Sequence, residues 1–111
     1  MNEQIFGIYE LDEAGTILYS RRYGDIAQLP ADRDVVGQNF FEEIPESETA
    51  ESLKRQFITF VKGRHSVFTF FLDGMCDRTP VRAKVLMTRG HETHENTNSE
   101  IVIMDIKKSD Y

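Results

Sequence analysis

Between residues 81 and 88 the chain is written in the strict two-residue period of β-structure. Val81, Ala83, Val85 and Met87 alternate strictly with Arg82, Lys84, Leu86 and Thr88, the pattern of a strand resting one face on a core. On either side stand Val67-Phe68-Thr69-Phe70-Phe71-Leu72 and Ile101-Val102-Ile103-Met104-Asp105-Ile106. Both runs are rich in the β-branched and aromatic residues that suit strands. Loops are expected at 73–80 and 89–99, the second polar and mobile.

The other end begins in the same way. Ile5 to Leu11 and Thr16 to Ser20 are β-rich and are separated by Asp12-Glu13-Ala14-Gly15, so they read as an antiparallel hairpin with glycine available for a positive φ. Between 21 and 47, Gly24, Pro30, Gly37 and Pro45 leave room only for short helical turns, anchored by Val35-Val36, Phe40-Phe41 and Ile44. Glu48 to Lys62 is the one long helix. Leu53, Phe57, Phe60 and Val61 recur at i, i+4, i+7 and i+8, one face of a 3.6-residue period. Ser47 suits its N-cap, and Lys62-Gly63-Arg64 its end. The order β-β, short helices, long helix, β-β-β predicts an α+β domain, with a five-stranded antiparallel sheet and the helices on one face.

At 111 residues the chain has room for one domain, spanning 1–111. A net charge of −6 lacks the basic surface of a sequence-independent nucleic-acid binder. No apolar run approaches a membrane span. Met1-Asn2-Glu3-Gln4 has neither the basic nor the apolar part of a secretory signal, so a cytoplasmic location is expected. Five glutamates fall between Glu42 and Glu51, and Arg78, Arg82, Lys84 and Arg89 form a basic run without an acid. Such runs read first as solvated faces, or else as head-to-tail contacts with a partner.

Three strands are apolar on both faces. An antiparallel sheet with one face in water alternates cleanly, yet Ile5 to Leu11, Val67 to Leu72 and Ile101 to Ile106 do not. Helices on one side leave the other uncovered, which marks an interaction surface. That surface is expected to include some of Phe6, Ile8, Phe68, Phe70, Leu72, Val102, Met104 and Ile106. A period of two leaves open which alternate set faces out.

Phe6-Gly7, Leu11-Asp12, Gly15, Ile17-Leu18-Tyr19, Gly24-Asp25-Ile26 and Val35-Val36-Gly37-Gln38-Asn39-Phe40-Phe41 occur in an order and spacing similar to photoactive yellow protein-like PAS domains. The acidic stretch that follows, Phe57, Leu72-Asp73, Thr79-Pro80 and Val81–Met87 continue the match, which covers roughly residues 5–107. The resemblance implies the PAS fold. It also implies departures from the family's light chemistry. The family attaches p-coumarate through a thioester to a cysteine just before the long helix, where this chain has Ile44-Pro45-Glu46-Ser47-Glu48. Tyr19 matches the family's phenolate-binding tyrosine, but Tyr23 stands in place of its glutamic acid, Ala27 in place of a threonine and Leu29 in place of an arginine. No p-coumaroyl thioester is expected. Haem is not expected either, because the long helix carries no histidine and His65 only follows it. The family's N-terminal helical cap, which covers the outer sheet face, is not matched.

The remaining reactive residues form no recognised constellation. Cys76, the single cysteine, lies between aspartates in Asp73-Gly74-Met75-Cys76-Asp77 and reads as an incidental thiol. His91 and His94 are three apart, not the i, i+4 pair of a zinc-protease helix. Arg21 and Arg22 point to opposite sides of an extended chain and read as a solvated pair. There is no phosphate loop, no nucleophile elbow and no cluster with metal-ligand spacing. The expected function is therefore a non-catalytic signalling or adaptor module, contacting another signalling protein or a second copy through its sheet face. The alternative is a small-molecule or haem sensor binding its ligand non-covalently, with Tyr19, Tyr23, Ala27 and Phe57 lining the pocket.

Overall fold

The computed structural model describes residues 5–23, 35–43, 47–76, 79–94 and 97–109, and for residues 47, 48, 75, 76, 79, 91–94 and 97–99 the backbone alone. The strands are β1 (Gly7–Leu11), β2 (Ile17–Arg22), β3 (Val67–Cys76), β4 (Thr79–His94) and β5 (Thr97–Ser109), and the helices are α1 (Phe40–Glu43) and α2 (Ser47–Lys62). All neighbouring strands are antiparallel, in the order β2-β1-β5-β4-β3. Among the described residues no helix is long and apolar enough to cross a membrane.

The β1–β2 hairpin closes as its turn residues require. The Asp12 carboxylate accepts from the backbone N–H of Ala14 at 3.0 Å and of Thr16 at 2.8 Å, an Asx-type turn. Gly15 follows at φ 90°. A side chain there would meet the Phe41 ring at 3.0 Å as well as the unfavourable φ. Residues 35–43 are stitched to this hairpin. The N–H of Ile17 donates to the Gln38 carbonyl and that of Phe40 to the Gly15 carbonyl, both at 2.9 Å. Asn39 caps α1 by accepting the Phe41 N–H at 3.0 Å. Phe40 and Phe41 are thereby delivered into the core.

One face of the sheet makes that core. Tyr9, Met104, Met87 and Phe68 are successive partners across four strands, and Gly7, Ile106, Val85 and Phe70 form the next row. Leu53, Phe57 and Phe60 of α2 pack on them, as their spacing predicts. Tyr9 meets Phe40 edge-on at 4.8 Å between ring centroids, Phe40 meets Phe41 at 5.1 Å, and Phe41 meets Phe57 at 5.1 Å. The buried Tyr9 hydroxyl donates to the Ile5 carbonyl at 2.9 Å.

The described residues of the two expected loops are strands. β3 and β4 stay paired out to Cys76 and Thr79, and β4 and β5 out to His94 and Thr97. Residues 89–94 thus pair with 97–102 as a two-stranded ribbon that inherits the register of the central sheet. Strand pairing runs through the backbone, so a polar sequence does not by itself distinguish a ribbon from a loop.

Candidate functional site

The register decides which alternate set faces out. Tyr9 and Leu11 are fully buried while Ile8 and Glu10 are partly exposed. Ile8 continues through Asp105 and Leu86 to Thr69, and Glu10 continues through Ile103 and Thr88 to Val67. These residues form the outer face, opposite the helices. Val67 is 54% exposed, Phe71 51% and Tyr19 45%, beside the partly exposed Ile8, Leu86 and Ile103.

Of the residues expected on this face, only Ile8 lies there. Val102, Met104 and Ile106 occupy the helix side of β5 and are buried in the core. Phe68, Phe70 and Leu72 occupy the helix side of β3 and pack against that core, and Phe6 is buried just before β1. The correction follows from Tyr9, whose inward position fixes every partner in its row. The outward apolar residues are instead Ile8, Val67, Phe71, Leu86 and Ile103.

The three described pocket residues, Tyr19, Tyr23 and Phe57, do not come together. The β1–β2 register shifts between Glu10 and Leu11 of β1, so Tyr19 opposes Glu10 while Ile17 opposes Leu11. Leu18 is the extra residue of this bulge. It sends Ile17 inward and Tyr19 outward, although two residues apart on a regular strand they would share a face. Tyr23 is also exposed, whereas Phe57 is buried on the opposite side of the sheet. Ala27 lies outside the described residues.

Charged groups surround the outer apolar residues in specific pairs. Arg82 Nε lies 2.9 Å from Asp73 Oδ1, with its guanidinium 5.5 Å from the Phe71 ring centroid. Lys107 Nζ lies 3.6 Å from Asp105 Oδ2. The Tyr23 hydroxyl donates to Asp105 Oδ1 at 2.7 Å. Partial burial, then the hydrogen bond to Asp105 and its negative charge, push the Tyr23 phenol up to about 12 against the opposing pull of Arg21. The folded state thus holds this proton more tightly than the unfolded chain. Its contribution to stability is complete below pH 10 and is lost as the pH rises toward 12. Absorbance titration of the phenolates is expected to lose one tyrosine's worth of late-ionising amplitude in Tyr23→Phe; a late phase of unchanged amplitude would refute the assignment.

Arg21 is exposed, but Arg22 is only 6% exposed and lies on the helix side. The solvated pair expected from sequence is therefore half wrong. Arg22 faces Gly7, where the absence of a side chain admits the backbone: a Cβ on Gly7 would come within 2.6 Å of the Arg21 carbonyl oxygen. Ser20 is buried beside it, and its Oγ has no hydrogen-bond partner among the described residues.

Sequence reasoning missed Arg89. Its Nε donates to the His65 carbonyl at 2.7 Å and Nη2 to the Gly63 carbonyl at 2.9 Å, with further bonds from Nη2 to the Phe60 carbonyl and from Nη1 to Glu100. Its guanidinium also sits 4.5 Å from the Phe60 ring centroid. One side chain thus joins the end of α2 to β4 and β5. Cys76 ends β3, and His91 and His94 pair through their backbones with Glu100 and Thr97. Among the described residues no three metal-ligating side chains cluster.

No family model matches the chain, and a search of curated proteins finds no match. Solved structures do match. The PAS domain of Bordetella pertussis BvgS aligns with a TM-score of 0.66 at 14% identity, over 96% of this chain and 79% of that one. A sensory box sensor histidine kinase from Vibrio cholerae aligns at 0.63 and 15%, over 96% and 83%. The photoactive yellow protein domain of the sensor histidine kinase Ppr from Rhodospirillum centenum aligns at 0.62 and 19%, over 91% and 83%. Strand order, helix placement and these superpositions agree: the chain has the PAS fold.

Proposed function

We propose that this chain is a non-catalytic signalling module that acts by binding another protein through the outer face of its sheet. The observation that carries this reading is the exposure of Val67, Phe71 and Tyr19 beside Ile8, Leu86 and Ile103 on the face opposite the helices. Large apolar side chains gathered on one face mark contact surfaces. Two of the structural neighbours come from sensor histidine kinases, which supports a signalling role. A cytoplasmic site of action and the absence of a resident cofactor belong to the same proposal. Residues 44–48 offer no thiol for a thioester, and α2 offers no histidine for haem.

The test is Leu86→Lys, compared with wild type by native mass spectrometry of protein purified from its own host. Leu86 sits mid-face opposite Asp105, so a lysine meets an opposite charge and the fold is retained by circular dichroism. A bound partner is expected on the wild type and lost from the variant. Retention of the partner by both Leu86→Lys and Ile103→Lys would sink the proposal. A second reading, a non-covalent small-molecule sensor, is favoured by Ser20 and Arg22, which place polar groups in the helix-side interior. The same spectrum separates the two: a sensor shows a small added mass that is lost on denaturation.

A further inference from the structure

We infer that β3 pairs with β3 of a second copy, joining two sheets edge to edge about a twofold axis at Thr69. β3 ends the strand order β2-β1-β5-β4-β3, so among the described residues one side of it meets no strand. Natural edge strands are protected by charges, proline, bulges or shortness. The opposite edge, β2, has Arg21, Arg22 and a bulge. β3 is ten residues long, and Val67-Phe68-Thr69-Phe70-Phe71-Leu72 contains neither charge nor proline, the composition of a segment disposed to pair.

The backbone shows which groups are free to pair. The Arg89 N–H donates to the Ser66 carbonyl at 3.4 Å, one step beyond the Val67–Thr88 pair. Hydrogen-bonded and non-hydrogen-bonded pairs alternate along an antiparallel ladder. Phe68, Phe70 and Leu72 therefore direct their N–H and C=O groups to β4, while Val67, Thr69 and Phe71 direct theirs to the open edge.

The side chains select a second copy as occupant. With the axis at Thr69, Thr69 opposes itself and Val67 opposes Phe71 of the other copy, twice over. Val67 and Phe71, the two most exposed large apolar side chains among the described residues, thereby cover each other, and Phe68 opposes Phe70 on the helix side. Aromatic–β-branched and aromatic–aromatic cross-strand pairs are the favourable ones. Moving the axis to Phe70 would set Val67 against Asp73. The assembly closes at two copies, because its outer edges become the protected β2 strands.

The test needs no partner protein. Thr69→Pro removes an N–H that the β3–β4 ladder does not use, at the edge position where proline is tolerated. By sedimentation, wild type is expected to dimerise, and the variant to associate roughly 30-fold more weakly, the loss of two backbone hydrogen bonds. Hydrogen exchange of wild type gives an independent readout. The Val67, Thr69 and Phe71 amides gain protection with concentration, while those of Phe68 and Phe70 are protected throughout. A monomer at all concentrations, or a dimer whose Thr69 amide exchanges freely, overturns the inference. Leu86→Lys leaves edge pairing intact, so failure here and failure of the proposed face contact are distinguishable.

Discussion

Replacing Arg89 with alanine is expected to lower the unfolding free energy by about 3 kcal/mol, and the melting temperature by roughly 10–15 °C for a domain of this size. The side chain is 17% exposed and its partner Glu100 33%, so both are largely withdrawn from water. Alanine would leave Glu100 without its cation and the carbonyls of Phe60, Gly63 and His65 without this donor. These carbonyls lie at or just past the end of α2; that of Phe60 also accepts the Gly63 N–H at 3.2 Å, and a cation there meets the negative end of the helix dipole. Lysine should recover only part of the loss. It keeps the charge but not the planar fork that addresses several acceptors at once, nor the stacking on Phe60. Calorimetry of wild type, Arg89→Lys and Arg89→Ala is expected to show that order. An alanine variant within about 1 kcal/mol of wild type would mean that the helix end is held by packing alone.

Arg89 also shows where sequence reading ran out. The residue stood in plain view in the basic run from Arg78 to Arg89, which read as solvated. Three of its partners are backbone carbonyls, which any sequence supplies, so nothing in the residue types announced them. The elements themselves were legible because they rest on periodicity. The alternation of Val81–Thr88 and the i, i+4, i+7, i+8 spacing in α2 each correspond to a single regular geometry, and β4 and α2 lie where those patterns stand.

The faces were harder to read. Apolar residues at both parities in β1, β3 and β5 showed that both sides of the sheet would be greasy, but a period of two has no sign. The sign came from tertiary packing around Tyr9, which the helices cover together with its row. Tyr19 was lost to a finer effect. A single extra residue, Leu18, flips everything after it in β2, and no turn residue or charge marks the bulge. The ribbon at 89–99 failed for the converse reason. Its polarity carries no sign of pairing, because its strand character comes from the register set further along the same strands.

The core poses the remaining question of whether the helix side of this fold is packed or hollow. Phe40→Ala is expected to cost about 3–5 kcal/mol, the range for truncating a fully buried phenylalanine. Phe40 is fully buried and links Tyr9 to Phe41, and through it Phe57, in a chain of ring contacts between 4.8 and 5.1 Å. The hole left behind would be lined by Tyr9, Phe41 and their apolar neighbours, and an apolar cavity of that kind stays dry and admits a small aromatic molecule. Benzene or toluene should therefore restore part of the variant's stability, by about 2.7 kcal/mol at a hundredfold excess over the dissociation constant. Wild type should not respond, because its rings already occupy the space. If benzene raises the melting temperature of wild type as much as that of Phe40→Ala, an apolar cavity exists beside the native rings. The sensor reading built on Ser20 and Arg22 would then gain over the interaction module. A response confined to the variant assigns these aromatic side chains to structure and leaves the outer face as the working surface.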